Sequence, residues 1–370
     1  MPKEVRVAWV RGAFMNMFEG QNYAFERGVS LTGFGSLAPI QSELPFPVVR
    51  LPSPPDFMPH IAIAQRALKI ICNRTLGDMH LLWGLERTVR DFDIAHTADP
   101  YYYYSYQLAR MRRSGTLKRL IVTSWETIPF NNETVARKRW IKRFVLDNAD
   151  LFLCYTRKAA DALIVEGVAA EKIRTVNLGV DLARFRPQRR KPGPVTVLTV
   201  GRLVPEKGMV DVYEAFRVAS REIQAQLLIV GDGPQRQDLL RMVERDGLTG
   251  RVRIETHRYD RMHEVYARAD IFALASRATP TWEEQYGMVL VEALASGLPI
   301  VAAATGAIPE VVGDAGVLAS DSESFMRELR EMIERVDVRE KLARKARERA
   351  EGQFDAAKTR DKIGRIYQMS

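Results

Sequence analysis

Apolar residues in this chain come in short unbroken runs, and longer stretches of mixed polarity lie between them. In the first half VRVAWV, DIAH, LIVTSW and LFLCYT read as buried strands. AIAQRALKIICNRTL (62–76) and ARKRWIKRFVLDNA (136–149) carry helical periodicity between some of them. The second half repeats the pattern more regularly. VTVLTVG, QLLIVGDG, VRIET, DIFALAS and LPIVAA are strands, and MVDVYEAFRVASRE, PQRQDLLRMVERDG, MHEVYARA and MVLVEALASG are the helices among them. Alternation at this spacing predicts βαβ units built on parallel sheets, and right-handed crossovers place helices on both faces. RFRPQRRKPGP (184–194), rich in Pro, Gly and Arg, precedes a fresh strand and is the natural linker. The pattern therefore predicts an α/β chain of two doubly wound domains, 1–190 and 191–353. Such sheets bind ligands beyond the carboxyl ends of their strands, which points to a site in a cleft between the two.

Composition narrows the class. A length of 370 residues suits two domains of about 150 residues each. With 46% hydrophobic and 27% charged residues, the chain is not a disordered one. Two cysteines, Cys72 and Cys154, form no CxxC or Cys/His cluster, which argues against structural zinc and a disulfide framework. No apolar stretch reaches the length of a membrane span, and MPKEVRVAWVRG meets Arg11 too early for a secretory leader. The expectation is a chain that works in the cytoplasm.

The positive charge is lopsided. Residues 1–190 hold 28 Lys+Arg and 18 Asp+Glu, a net of 28 − 18 = +10, whereas 191–370 hold 27 and 28, a net of −1. Arg110, Arg112, Arg113, Lys118 and Arg119 make one cluster, and Arg137, Lys138, Arg139, Lys142 and Arg143 a second. In the second, Val135, Trp140, Ile141, Phe144 and Val145 fall on one helix face. One reading is a solvated basic side on a core-packed helix. Another is peripheral attraction to an anionic membrane, at ~1 kcal/mol per basic residue near the surface. No nucleic-acid-binding signature is present, so nucleic acid is not an expected partner.

Three segments of the second half carry candidate chemistry. VTVLTVGRLVPEKG runs from a strand into Gly201, Arg202, Lys207 and Gly208. Gly201 permits close backbone approach, and two cations with free amides at a sheet edge suit a diphosphate without a metal. The segment lacks GxxxxGK[ST] and is not a Walker loop; ordinary surface charge is the bland alternative. VGDGPQRQDLL contains G-x-G without a third glycine, so a hydride-transfer enzyme is disfavoured. EEQYGMVLVEALASGLPIVAA sets Glu284 seven residues ahead of Glu292, with a turn at Gly287 and a helix from Met288. The helix start offers unpaired amides, and carboxylates accept hydrogen bonds from sugar hydroxyls. Acidic residues favouring the helix dipole are the alternative.

In order and at matching spacing, GRLVPEKG, VGDGP, ADIFALAS, Glu284 through Glu292, SGLPIVA and GAIPEVV resemble the retaining GT-B glycosyltransferases of the family-4 type (glycosyl transferases group 1). The resemblance covers almost the entire chain and is densest from Val195 to Leu318. It implies two Rossmann-like domains facing across a deep cleft, an acceptor-side N-terminal domain and a nucleotide-sugar-binding C-terminal one. The tail 354–370 would be the terminal helix that completes the N-terminal domain. It implies that Arg202 and Lys207 hold the donor diphosphate, Glu284 contacts the transferred sugar and Glu292 the ribose. Amides around Gly287, Met288 and Val289 would contact phosphate or sugar, and Arg258 would lie in the base-contacting segment. No cofactor and no metal are implied beyond the nucleotide-diphosphate sugar itself, since preorganised cations stabilise charge on the departing diphosphate.

The acceptor side departs from the pattern. After the first strand RGAFMNMFEGQNY brings Phe14, Met15, Met17 and Phe18 where the family has a Gly-rich loop. These residues read either as interface packing or as an apolar lip. His96 is expected at a strand end facing the cleft, where a structural role is the alternative. The family's T-x-H is T-S-W here, with Trp125 at the histidine position and Glu126 following. His96 and Glu126 are the acceptor-side candidates, and Tyr101 to Tyr104 either line a carbohydrate groove or start a packed helix. The acceptor is a glycan, a lipid or a small molecule. The alternatives are another GT-B activity, such as a nucleotide-sugar epimerase or a phosphorylated-disaccharide synthase, and a non-catalytic nucleotide-sugar-binding subunit.

Overall fold

The short apolar runs become the central strands of two parallel sheets in a computed structural model that describes residues 4–41, 43–57, 75, 78–188 and 193–369. Apart from Thr75, the expected helix over 62–76, with Cys72, lies outside the described residues, as do positions 189–192 of the expected linker.

The first unit comprises residues up to Leu178 together with Ala356–Ser370. Its strands are β1 (Val5–Gly12), β2 (Val29–Gly35), β3 (Val48–Arg50), β4 (Ile94–Ala98), β5 (Arg119–Ser124), β6 (Leu151–Cys154) and β7 (Ile173–Thr175). They lie in the order β3-β2-β1-β4-β5-β6-β7, all parallel. The chain leaves β1 toward one edge and β4 toward the other, so the switch point lies between these two strands, where open α/β sheets take their ligands. β1 is buried from Val7 to Gly12, as the central strand of a sheet covered on both faces must be. One face packs Ala8, Val10, Leu120, Val122 and Phe152 with Leu108 of the helix Tyr103–Arg113. The helix Ala356–Gln368 buries Ile363 and Tyr367, and Tyr367 meets the Phe25 ring at 5.6 Å.

The helix Ala136–Asn148 corrects one expectation. Ile141, Val145 and Leu146 are buried, but Trp140 is half exposed, and Lys142 is the residue that turns inward. Lys142 is held by Glu166 at 2.6 Å and Glu133 at 3.0 Å. A buried charge needs such partners, and satisfying it rotates the indole toward solvent.

The second unit spans Gly179–Asp355. Its strands are β8 (Val195–Val200), β9 (Ala225–Val230), β10 (Val252–Glu255), β11 (Ile271–Leu274), β12 (Ile300–Ala303) and β13 (Gly316–Ala319). They lie in the order β10-β9-β8-β11-β12-β13, again all parallel. The switch point is between β8 and β11. The helix Ser322–Glu334 opens with a capping box of Asp321 and Ser324 and buries Phe325, Leu329, Met332 and Ile333 at helical spacing.

The division falls at Leu178/Gly179, ahead of the expected boundary near 190, and again at Asp355/Ala356. The reason is local bonding. Val180 N donates to Phe354 O at 2.9 Å, Arg184 donates to Tyr259 O at 2.6 Å, and Arg347 donates to Phe185 O at 2.9 Å. Residues 179–185 are thereby tied into the second unit, although the expected boundary near 190 places them in the first.

Candidate functional site

The loops that leave β8, β11 and β12 converge on one buried carboxylate. Lys207 follows β8, and its Nζ lies 2.7 and 3.0 Å from the two carboxylate oxygens of Glu284. Ser276, which follows β11, donates its hydroxyl to the same carboxylate at 2.9 Å. Thr305, which follows β12, bonds Ser276 O through its own hydroxyl at 2.8 Å, and Ala307 N bonds Glu284 O at 2.7 Å. Two glycines make this convergence possible. Gly208 has φ +64°, and a Cβ there would stand 1.9 Å from Ala275 O. Gly306 has φ +57°, and a Cβ there would stand 2.3 Å from Glu284 O. Only a residue without a side chain lets these turns close on the Ser276–Glu284 backbone. The Trp282 ring completes the surround, with the Lys207 ammonium 5.1 Å from its centroid. Ser276 and Thr305 also line a cavity of about 430 Å³ that reaches Phe325 and Met326.

The helix Met288–Ala295 carries the second carboxylate. It starts at Gly287, which has φ +80°, and no side chain caps its first turn. Leu290 N bonds Gly287 O at 2.8 Å, and among the described residues the Met288 and Val289 amides have no intrahelical partner. Glu292 is 3% exposed and accepts from Tyr266 OH at 2.7 Å, and that hydroxyl also reaches Val289 O at 3.2 Å. Burial pushes the Glu292 carboxyl up to about 7, although bonds from Tyr266 and Tyr259 and the charge of Arg184 favour its ionised form. Arg184 fastens the Tyr259 segment, donating to Tyr259 O at 2.6 Å and His263 Nδ1 at 3.3 Å.

Of the residues singled out from the sequence, Lys207 and Glu284 touch directly. Gly201 follows β8, and its N donates to Val230 O at 3.0 Å. Gly287, Met288, Val289 and Glu292 share one helix start. Arg202 is exposed, and among the described residues its guanidinium has no partner. Arg258 is exposed as well and, among the described residues, pairs with Asp260 at 3.2 Å.

In the first unit the two acceptor-side candidates lie inside the structure. His96 is the third residue of β4, not its end, and has no exposed surface. Its Nδ1 lies 2.6 Å from Tyr367 OH and its Nε2 2.7 Å from Thr123 Oγ1. Burial, with the nearby Arg11 charge, holds it well below the usual imidazole range, so the ring is neutral. Glu126 is 5% exposed and receives four hydrogen bonds, from Thr127 N, Ile128 N and the amides of Asn131 and Asn132. Its oxygens anchor the loop after β5, which explains their inward orientation.

The same edge holds residues the sequence did not single out. Asp99 follows β4 with φ +50° and accepts from Trp125 N and Tyr101 OH, both at 3.0 Å. Burial and the neighbouring Glu126 charge outweigh these bonds and push its carboxyl up to about 7. Trp125 is half-buried, edge-on to Tyr155 at 4.4 Å. No periodicity marks Asp99, Ser276 or Tyr266; their partners lie on other loops and become visible only in three dimensions.

Residues 43–184 match Glycosyltransferase Family 4, and residues 182–349 match Glycosyl transferases group 1. The chain belongs to the family-4 glycosyltransferases. Among curated relatives of this family, it is 31% identical to sulfoquinovosyl transferase SQD2 of Arabidopsis thaliana, over 57% of this chain and 43% of that one. It is also 31% identical to the N-acetyl-alpha-D-glucosaminyl L-malate synthase of Bacillus anthracis, over 44% of this chain and 42% of that one. The match therefore spans less than half the length of either relative. In fold, the chain is similar to HepE of Anabaena, solved in complex with UDP and glucose. That likeness has a TM-score of 0.77 at 19% identity and covers 99% of this chain and 100% of that one. The GT-B class of paired parallel α/β units follows from this likeness and from the two sheets.

Proposed function

We propose that the protein transfers a sugar from a nucleoside diphosphate donor to a hydroxyl-bearing acceptor, with retention at the anomeric carbon and without a divalent metal. The observation that carries this reading is the Lys207–Glu284–Ser276 cluster beside the open start of helix Met288–Ala295. The hard step is cleavage of the anomeric C–O bond, which leaves negative charge on the diphosphate. Arg202 and Lys207 are the cations for that charge, aided by the amides at Gly287, Met288 and Val289. Their stabilisation grows as the bond breaks, which lowers the barrier more than the ground state. Glu284, positioned by Ser276, accepts hydroxyls of the transferred sugar, and Glu292 accepts those of the ribose. Arg258 stands on the segment proposed to meet the base. A thermal-shift panel of UDP-, GDP-, ADP- and TDP-sugars tests donor binding; a site at a hundred times Kd adds ~2.7 kcal/mol. Survival of the shift in EDTA supports metal independence, and the anomeric proton coupling of the product reports retention. Donor binding without transfer or hydrolysis across acceptors would favour a binding subunit, and sugar isomerisation without acceptor an epimerase.

Peripheral contact with an anionic membrane at the cytoplasmic face extends this proposal. It is supported by half-exposed Phe130 and Trp140, which with Arg139 and Arg143 line a groove of about 480 Å³ in the first unit. Among the described residues no helix is long and apolar enough to cross a membrane. Vesicles containing phosphatidylserine should sediment the protein at low salt and release it at high salt; absence of low-salt sedimentation refutes the extension.

A further inference from the structure

Two histidines of the first unit contrast sharply. His96 spends both ring nitrogens on buried hydroxyls. His80 is half-buried, and its Nδ1 lies 2.8 Å from Asp78 Oδ1. Asp78 is 3% exposed and also accepts from His80 N at 3.0 Å and Tyr103 N at 2.8 Å. Burial alone would push this carboxyl up, but the His80 and Tyr103 bonds outweigh it and hold it below its ordinary value. A carboxylate at Nδ1 accepts the proton carried there and so selects the tautomer whose lone pair is on Nε2. Among the described residues Nε2 has no partner.

Aromatic rings stand beside the imidazole. Phe14, from the loop after β1, stacks on Tyr102, from the loop after β4, with centroids 4.9 Å apart and planes 29° apart. The His80 ring is 4.9 Å from Phe14 and 5.2 Å from Tyr102. All three rings are half-buried, and the two loops leave the carboxyl ends of the adjacent strands β1 and β4. That is the switch point of the sheet. An apolar face next to one oriented hydrogen-bond acceptor is what a pyranose ring needs, since it carries C–H groups on its face and hydroxyls at its rim. Among the described residues the second nitrogen of His80 is left open while Asp78 orients the first.

We propose that Phe14, His80 and Tyr102 form a subsite for one pyranose ring of the acceptor, with His80 Nε2 accepting a hydrogen bond from a ring hydroxyl. This deepens the transferase reading and rests on it. His80 is a specificity contact, and Asp78 its positioning residue.

The test is saturation-transfer NMR on the full chain with methyl α-D-glucopyranoside, methyl α-D-galactopyranoside and methyl α-D-mannopyranoside. Saturating nucleoside diphosphate is present to occupy the donor site. The expected result is saturation of ring C–H protons of at least one glycoside by the wild type. Binding should weaken about tenfold in His80→Ala and in Phe14→Ala, the loss of roughly one good contact, and recover in part in His80→Gln. Melting temperature and the nucleotide-induced shift are measured on every variant. If Phe14→Ala melts early, the His80 pair decides. No saturation of any glycoside by the wild type overturns the subsite, and so does equal binding by wild type and His80→Ala. A nucleotide shift with no glycoside binding removes the subsite alone. His80-dependent glycoside binding with no nucleotide shift removes the transferase reading and leaves the subsite standing.

Discussion

Glu292 offers a quantitative handle on the proposed donor site. Its carboxyl sits at about 7 because it is buried, so near neutral pH it is divided between the two protonation states. The proposed role needs the ionised state, because a carboxylate accepts ribose hydroxyls better than a carboxylic acid does. Apparent affinity scales with the competent fraction. That fraction is about 0.9 one unit above the midpoint and about 0.1 one unit below it, so Kd should rise roughly tenfold from pH 8 to pH 6. The terminal phosphate of a nucleoside diphosphate itself titrates near pH 6 by analogy with other phosphate monoesters. The comparison that isolates the carboxylate is therefore wild type against Glu292→Gln, by isothermal titration at constant ionic strength. The difference between the two profiles should shrink on acidification.

Tyr266→Phe sharpens the test, because the Tyr266 hydroxyl bonds Glu292 at 2.7 Å. A hydrogen bond to a charged group contributes ~1.5–3 kcal/mol, which at 1.36 kcal/mol per unit moves the midpoint up by about one to two units. Donor affinity should then fall further at pH 7 and recover in alkali. Parallel profiles for wild type and Glu292→Gln, or an unmoved midpoint in Tyr266→Phe, refute the assignment. Stability carries the same signature with a definite sign. The unfolded carboxyl titrates near 4.5 and the folded one near 7, so the native contribution is complete below 4.5 and lost as pH rises through 7. The loss amounts to ~3 kcal/mol at most. Glu292→Gln should therefore gain on the wild type as pH is raised across this window.

Other perturbations test the architecture around it. Lys207→Ala and Glu284→Ala should each lower transfer by about 10²–10³-fold, the loss typical of one preorganised charge-stabilising group, while circular dichroism stays native; full transfer by both ends the proposal. Gly208→Ala forces a left-handed φ on alanine and a Cβ 1.9 Å from Ala275 O. It should cost about 2–4 kcal/mol in urea unfolding, from overpacking plus backbone strain, and a loss under half a kcal/mol contradicts the close approach. Lys142→Met leaves the Glu166 carboxylate, 2.6 Å from the ammonium, without its charge partner in a buried place. A cost of about 3–5 kcal/mol is expected at neutral pH, and Lys142→Met with Glu166→Gln should recover much of it.

The parts of the fold legible in the sequence were those whose signal is local. The runs that became β1, β4, β5, β6, β8, β9, β11 and β12 are mostly buried and read as nearly continuous apolar segments, while VRIET was read as a strand although its strand, β10, is a partly exposed edge. The missed strands lie away from the sheet centres. β2 is interrupted by Gly33, β3 and β7 have three residues each, and β13 at the edge opposite β10 is only partly buried. Of the residues proposed for the donor side, Lys207 and Glu284 were legible because the motifs place them on loops of one sheet, and Lys207 and Ser276 each bond the Glu284 carboxylate. On the acceptor side the sequence offered two polar residues near strand ends, and both turned inward. His96 sits mid-strand, where β pleating and the tail helix's Tyr367 seal it, and Glu126 binds the amides of its own loop. Whether a polar side chain faces a ligand depends on which groups claim its hydrogen bonds first, and that competition is settled by chain segments far away in sequence. Glu284 and Glu292 show the consequence. They stand on either side of one turn; one is held by an ammonium and a serine, the other by two tyrosines in a buried pocket. The second should make donor binding follow pH near neutrality, a dependence that no spacing between two glutamates could have revealed.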